Sequence, residues 1–259
     1  MNDKNSNQYY RLPVLDGLEF LHAKNHKVSF PFHSHPTFNI TLILDQTFST
    51  KLSSSQLIQA PKGSIFITNP DEVHATICEN KSGNSFYTFY IAPDVLKRLN
   101  HNKAVFFNDR TIYDAALFEA LYFVAQNFDN RDFAFEQQLL PLLKRLVAHH
   151  SNEIPFLDKE TQLLRKFIEE ETFEKFSLEQ TARKFGLDKY KFLRLFKYET
   201  GLTPNNFIIL QRIEKSKKLL QSQNDLLDIA LETGFYDATH FCRHFKKVTG
   251  ISPSTFRNA

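Results

Sequence analysis

A repeated motif near the carboxyl end constrains the fold of this chain more than any other feature. Residues 188–207 read DKYKFLRLFKYETGLTPNNF, and residues 237–256 read DATHFCRHFKKVTGISPSTF. A constant offset of 49 residues pairs Phe192 with Phe241, Arg194 with Arg243, Phe196 with Phe245, Lys197 with Lys246, Gly201 with Gly250 and Pro204 with Pro253. Two copies are too few for a solenoid, which needs about three or more repeats to bury a continuous core. We therefore interpret the repeat as a tandem pair of helix-turn-helix units.

Each copy carries the local signals that begin and end helices. Asp188 precedes a predicted helix over 189–199, and its side chain is typical of an N-cap. Gly201 follows that helix, where a positive φ costs glycine little. Thr203-Pro204, like the Ser-Pro of the second copy, predicts an N-cap followed by proline at the first helical position. A long helix of roughly 18 residues should begin there and separate the two units by about 27 Å.

The first third of the chain has the pattern of short β-strands. From Leu12 to about Ile91, alternating or wholly apolar runs such as FNITLIL, SIFITN and SFYTFYI are separated by turn residues, among them Pro36, Gly63 and Gly83. Many short strands with proline and glycine turns are typical of a sandwich or a small barrel.

Three histidines stand out among these predicted strands. His33 and His35 lie in FHSHPTFN, which ends at Asn39, and His74 lies in NPDEVHA. These passages resemble the histidine motifs of cupin barrels. In metal cupins a His-x-His, a later histidine and a carboxylate converge on one ion, and imidazoles suit a transition metal. Because Asn39 stands at the carboxylate position and is a weaker ligand, we expect the four residues to line a ligand pocket or to be packed in the barrel, and we assign no metal.

After Pro93 the apolar residues take up helical spacing. The segments DVLKRL, TIYDAALFEALYFVAQNF and FEQQLLPLLKRLVAHH predict three helices, and Pro141 should kink or restart the last of them. The middle helix carries apolar residues on more than one face, at Ile112, Ala116, Phe118, Leu121, Phe123 and Val124. Such a helix usually buries itself on two sides. It could form a homodimer contact through the helices in 93–150 or give the barrel extra cover, and the sequence leaves both interpretations open.

These patterns predict an α+β protein of two domains. The N-terminal domain is a cupin-like β-barrel with following helices, and the C-terminal domain is all-α, with two helix-turn-helix units joined by a long helix. We expect the barrel at 1–92, its helical part at 93–150, a linker at 151–160 and the helical domain at 161–259. The linker is placed at the polar, proline-interrupted stretch SNEIPFLDKE, and the amphipathic lead helix TQLLRKFIEEETFEKF follows it.

The positive charge of the chain is concentrated in the part that bears the repeat. Residues 160–259 contain 17 Lys and Arg against 13 Asp and Glu, whereas the whole chain has a net charge of only +3. A polyanionic partner favours such an excess.

Composition also narrows the class of protein. Cys78 and Cys242 form no ligand cluster. The polar start MNDKNSNQYY is unlike a signal peptide, and no run reaches the roughly 18 apolar residues of a membrane span. We therefore expect a cytoplasmic protein with no membrane partner.

The repeat-bearing part resembles one family of DNA-binding proteins. Its second copy, IALETGF followed by FCRHFKKVTGISPSTFR, contains the patterns IA-x-x-x-GF and F-x-R-x-FK and a Gly-Ile-Ser-Pro turn, and the first copy repeats most of them. On these motifs, residues 160–259 are similar to the DNA-binding domain of the AraC/XylS family of bacterial transcription regulators. The resemblance implies two helix-turn-helix units, each with its second helix in the major groove, behind a cupin-like domain.

The resemblance also assigns roles to individual side chains. It places at base-reading positions Tyr190, Leu193 and Arg194 of the first unit and Thr239, His240 and Arg243 of the second. An arginine can be bidentate to guanine, which is worth about 1–3 kcal/mol of discrimination. The residues better placed to neutralise phosphates, which give affinity and salt dependence without sequence information, are Lys189, Lys197, Lys246 and Lys247.

The two copies differ in ways that predict unequal units. Leu193 is apolar where a hydrogen-bonding side chain would be usual, so it should contact a thymine methyl or read little. Thr181 replaces a leucine-like core residue, which predicts a looser first unit.

The sequence thus predicts a sequence-specific DNA-binding transcription regulator without a cofactor, and not an enzyme. A small-molecule effector in the barrel would control its affinity for promoter DNA. The resemblance implies activation through RNA polymerase more than repression. Two alternatives stay open: a metal-dependent cupin enzyme with a helical appendage, and a DNA-binding protein that needs no effector.

Overall fold

The computed structural model describes residues 6–53, 56–79, 81–128, 134–152, 177–222 and 224–258. These residues form two compact units. The predicted lead helix over 161–176 and the predicted linker beyond Asn152 lie outside the described residues, so the domain boundaries stay a prediction. No described helix has the length and apolar character that crossing a membrane requires.

Short strands dominate the described residues before Asp114 and form two sheets. The strands are β1 (Ser6–Arg11), β2 (Glu19–His26), β3 (Phe30–His33), β4 (Phe38–Ile43), β5 (Phe48–Leu52), β6 (Leu57–Ala60), β7 (Ile65–Thr68), β8 (His74–Ile77), β9 (Asn84–Ile91) and β10 (Thr111–Ile112). One sheet has the order β1-β2-β9-β4-β7-β10, and the other has the order β3-β8-β5-β6. The first sheet is antiparallel, and Asn39 on β4 lies opposite both Thr68 and Tyr90. The β-rich first part of the predicted fold is thus confirmed.

Within the described residues up to Asn152, the helices that accompany these sheets are α1 (Pro93–Leu99), α2 (Ala115–Gln126) and α3 (Ala134–His150). The prediction that the middle helix begins at Thr111 was wrong, because Thr111 and Ile112 pair with Phe66 and Ile65 as β10. Asp114 then begins α2, its carboxylate accepting a hydrogen bond from the Leu117 N–H at 2.9 Å. The spacing of Ile112 fitted a helix, but its burial comes from the sheet.

The inner faces of α2 and α3 are buried in the same hydrophobic core as the six-stranded sheet. The shared residues include Phe20, Ile40 and Phe89 of the strands, Leu117, Phe118, Leu121 and Val124 of α2, and Leu139, Leu143 and Leu146 of α3. The inner face of α2 therefore covers the barrel. Phe123 on the same helix is 63% exposed, and the homodimer contact stays a prediction. Pro141 lies inside α3 and does not restart it.

Residues 177–258 are helical throughout the part that the structure describes. The helices are α4 (Leu178–Lys184), α5 (Lys189–Thr200), α6 (Pro204–Leu219), α7 (Leu226–Glu232), α8 (Ala238–Thr249) and α9 (Pro253–Arg257). The pairs α4/α5 and α7/α8 are the two helix-turn-helix units, and α6 joins them. With 16 residues, α6 is about 24 Å long, slightly shorter than predicted.

The helix signals read from the repeat are present at the predicted places. The Asp188 carboxylate accepts hydrogen bonds from the Tyr190 and Lys191 N–H groups, both at 2.9 Å. Thr203 and Ser252 cap α6 and α9 in the same way, each followed by proline. Gly201 ends α5 with a φ of 73°, a left-handed conformation that favours glycine.

Equivalent phenylalanines build the core of each helix-turn-helix unit. In the first, Phe196 packs edge-on against Phe207 with ring centroids 5.6 Å apart; in the second, Phe245 packs edge-on against Phe256 at 5.4 Å. The offset of 49 residues relates both partners of these contacts. The repeat in sequence is therefore a repeat in packing.

Candidate nucleic-acid interface and histidine cluster

Helix α8 separates a buried stripe from an exposed polar face. Phe241 and Phe245 are fully buried, whereas the predicted DNA-contacting residues Thr239, Arg243, Lys246 and Lys247 are exposed. The helix begins at Asp237, whose carboxylate accepts a hydrogen bond from the His240 N–H at 2.6 Å. Thr239, His240 and Arg243 line one open cleft of about 360 Å³. The structure thus brings together the three predicted base readers of the second unit.

His240 is half-buried and partly engaged within its own unit. Its ring lies edge-on to Phe235, with centroids 5.6 Å apart, and edge-on to His244 at 4.5 Å. Its Nδ1 atom is buried and has no hydrogen-bond partner among the described residues. Burial lowers the pKa of His244, and the nearby His240, Arg243 and Lys247 lower that pKa further. The contacts with Phe235 and His244 thus hold the His240 ring in place, and its Nδ1 atom makes no hydrogen bond to the described residues.

Helix α5 presents the corresponding surface of the first unit. Tyr190, Arg194 and Lys197 are exposed, and Leu193 is half-buried. Lys189 differs from the other predicted phosphate ligands, because its ammonium lies 3.3 Å from the Glu179 carboxylate and 5.3 Å from the centre of the Tyr190 ring. Exposed ion pairs contribute little stability, so this one would open at small cost.

Two exposed tyrosines beside these surfaces were missed by the sequence reasoning. Tyr236 is 88% exposed, directly precedes the Asp237 cap and lines the cleft of α8. Tyr198 is 85% exposed and follows Arg194 by four residues, which puts both on one face of α5. Their positions near the repeated arginines could have indicated that they lie on the same surface. The sequence alone does not decide this, because tyrosine is equally common in a buried core.

A cluster of three histidines lies in the β-rich part. His33, His35 and His74 are buried, and one ring nitrogen from each lies within 4.8 Å of those of the other two. The fourth predicted pocket residue, Asn39, is also buried, and its side-chain oxygen accepts a hydrogen bond from the Thr37 hydroxyl at 3.1 Å.

Backbone carbonyls orient two of these rings. Nδ1 of His33 lies 2.6 Å from the Pro31 oxygen, and Nδ1 of His74 lies 2.8 Å from the Glu72 oxygen. Because a carbonyl can only accept, each Nδ1 carries the proton and each Nε2 the lone pair. Burial lowers the pKa of His74, although the carbonyl and the charge of Glu72 act in the opposite direction.

The loop that precedes His74 is held by polar contacts. The Arg110 guanidinium grips the Glu72 carboxylate, with a shortest N–O distance of 2.6 Å between side chains that are both mostly buried. The Asp71 N–H donates to the His35 oxygen at 2.7 Å. The same loop therefore ties the strand end that carries His74 to the segment that carries His35.

Family models match both parts of the chain. Residues 17–151 match the AraC-like ligand binding domain, and residues 181–259 match a helix-turn-helix domain. The first match alone covers more than half of the chain. The chain belongs to the AraC family of transcription regulators. The members of this family are DNA-binding regulators and not enzymes, so the cupin-enzyme alternative is set aside.

Individual relatives of this AraC-family regulator are themselves named transcription regulators. The chain is 25% identical over 227 residues to the uncharacterized HTH-type transcriptional regulator YbfI of Bacillus subtilis, covering 82% of this chain and 81% of that protein. It is 33% identical over 131 residues to the HTH-type transcriptional activator RhaS of Salmonella schwarzengrund, covering 49% of this chain and 45% of the activator.

Among solved structures, the regulator is similar to ToxT of Vibrio cholerae. Wild-type ToxT bound to an unsaturated fatty acid has a TM-score of 0.55 at 12% identity, over 98% of this chain and 96% of that one. An apo ToxT variant gives 0.56 at 13% identity over 99% of both chains. At such identities the likeness shows the fold alone, and that fold is the predicted one: a β-rich domain followed by a helical domain.

Proposed function

We propose that this AraC-family regulator reads promoter DNA with α5 and α8, and that Arg194 and Arg243 each recognise a guanine. The observation that carries this assignment is the equivalence of the two arginines. They occupy the same repeat position, both are exposed, and each stands on a helix whose opposite stripe is fully buried phenylalanine. A guanidinium fits the two acceptors on the major-groove edge of guanine. Tyr190, Leu193, Thr239 and His240 complete the proposed base-reading set.

The lysines supply the part of the affinity that is independent of sequence. Lys197, Lys246 and Lys247 are exposed near the carboxyl ends of α5 and α8, and Lys189 lies at the start of α5. Phosphate contacts of this kind release counterions, so affinity falls as salt rises.

The barrel is proposed to bind a small-molecule effector that changes the affinity for DNA. Two findings support this: the match to a ligand-binding domain and the buried polar cluster of His33, His35, Asn39 and His74. An effector acts in this way only if it binds the DNA-competent state better than the other state.

Activation of transcription in the cytoplasm, by contact with RNA polymerase, is the proposed mode of regulation. The relative RhaS, a transcriptional activator by name, supports it. A homodimer through the helices in 93–150 is proposed as well. Phe123 and Tyr113, which are 63% and 74% exposed, offer it an apolar surface.

Gel shifts with genomic fragments of the source organism test the DNA-binding proposal. We expect a specific complex at moderate salt, and Arg243→Ala should weaken it by about 1–3 kcal/mol on a specific site while changing non-specific binding less. Arg98→Ala is the matched control, because that exposed arginine pairs with Asp16 in the β-rich part. Absence of any specific complex, or an unchanged sequence preference in Arg243→Ala, would show the proposal to be wrong.

A further inference from the structure

We propose that His33, His35 and His74 bind one divalent transition-metal ion, with zinc as the representative metal. The family match does not assign this metal site. Its existence would go beyond the DNA and effector binding proposed above. The geometry carries it. Three buried imidazoles from two neighbouring strands, β3 and β8, and from the turn after β3 converge, each with a ring nitrogen within 4.8 Å of the others.

The distances are close to those that a single ion needs. Zinc–imidazole bonds of about 2.0–2.1 Å in a tetrahedral site put the ligand nitrogens about 3.4 Å apart. From a separation of at most 4.8 Å, the rings need only small side-chain rotations to reach that geometry. Imidazole suits zinc, copper, iron and nickel, whereas magnesium and calcium prefer oxygen ligands.

The surroundings of the rings match those of metal ligands. A metal-binding histidine almost always donates its second ring N–H to a carbonyl, a carboxylate or water, which fixes the tautomer. His33 and His74 do so toward the oxygens of Pro31 and Glu72, so Nε2 is the ring atom of each that carries the lone pair a metal ion needs. The Arg110–Glu72 clamp holds the loop that supplies one of these carbonyls.

Three protein nitrogens define the class of site. Zinc sites with three protein ligands keep a further position for water or another small oxygen ligand. The absence of a carboxylate among the three lowers the negative charge of the site, so its affinity should be below that of a cupin centre with an acidic fourth ligand.

Titration with Co²⁺ tests the site without reference to DNA. The full chain, prepared without a histidine tag and stripped with a chelator, should bind one Co²⁺ per chain with visible d–d absorption, and Zn²⁺ should displace it. His35→Gln and His74→Gln should each weaken binding beyond the about 10- to 100-fold that loss of an outer-shell partner costs. His149→Gln, at an exposed histidine in the last turn of α3, should bind as the unchanged chain does.

The proposal is overturned if no saturable Co²⁺ binding occurs, if the cluster variants bind as tightly as the unchanged chain, or if His149→Gln loses as much affinity as they do. Circular dichroism checks that the variants fold. If they do not, X-ray absorption of the Zn²⁺-loaded unchanged chain decides: three imidazole ligands support the site, and fewer than three contradict it. Specific DNA binding is measured separately, so either proposal can fail alone.

Discussion

Neighbouring residues of α8 illustrate how one short helix divides its work. Arg243 is exposed on the cleft side, and Phe245, two positions later, is fully buried against Phe241 and Phe256. At 100° per residue, such alternation on a helix separates the packed side from the side proposed to contact DNA. Mutations at the two positions should therefore produce different defects, one in stability and the other in DNA affinity.

Phe245→Ala should destabilise the helical domain by about 3–5 kcal/mol, because it removes a fully buried aromatic ring and leaves a cavity. Urea unfolding followed by circular dichroism at 222 nm measures this loss. Tyr236→Ala is the control, since that side chain is 88% exposed and surface changes usually stay within about 0.5 kcal/mol. A loss below about 1 kcal/mol in Phe245→Ala would contradict the packing described for the second unit.

At the scale of elements, the start of α2 carries a charge that should make stability depend on pH. The hydrogen bond from the Leu117 N–H lowers the pKa of Asp114, and His150 and Arg145 lower it further, while burial opposes them. A carboxyl with a lowered folded-state pKa contributes stability above its ordinary pKa of about 3.9. That contribution is lost as the pH falls through the lowered value.

Asp114→Asn keeps a good N-cap residue but removes the charge, which also pairs with Arg145 at 3.0 Å. We expect a cost of about 1 kcal/mol near pH 6, shrinking as the pH is lowered from about 4. Urea unfolding of both proteins from about pH 6 down to about pH 2 measures the difference in stability between them. A gap that stays constant across the range would show that the charge of Asp114 does not stabilise α2.

Elements whose signals are local could be predicted from the sequence. The caps at Asp188, Thr203 and Ser252 depend on a few adjacent residues, and the structure confirms them. The strand at Thr111–Ile112 could not be predicted in this way, because its partner β7 lies more than 40 residues earlier. Its two residues continue the helical spacing of α2, and only the pairing shows that they belong to the sheet.

The two candidate sites differ in the same way: the DNA-reading helices depend on local sequence, whereas the histidine cluster depends on contacts between distant parts of the chain. The repeat alone placed Arg194 and Arg243 on one kind of surface, since both copies fold locally. The sequence predicts that the histidines line a pocket or are packed in the barrel, whereas their mutual distance depends on the pairing of β3 with β8 and on the turn that follows β3. The Arg110–Glu72 ion pair joins residues 38 positions apart, so no local sequence pattern could predict it.

At the scale of the whole molecule, two unequal units share one connecting helix. Thr181 of the first unit is buried where Ile229 occupies the second, so the first core contains less apolar side chain at that point. This difference supports the prediction that the first unit is less tightly packed, which stays a prediction. Fixed by α6, the two units should read two sites at a constant separation, and the stronger core should make the second unit the more stable anchor.

Binding to randomised DNA fragments tests this arrangement. One major groove follows the next after about 10–10.5 base pairs, or about 34 Å, and a helix of about 24 Å with a unit at each end suits that interval. We expect Arg194→Ala to relax base preference in one half-site and Arg243→Ala in the other, with centres about one DNA turn apart. Lys246→Ala should instead weaken all sequences alike and reduce the salt slope by about 0.9. If both arginine variants alter the same base pairs, or the affected positions are not one turn apart, α6 does not set the spacing.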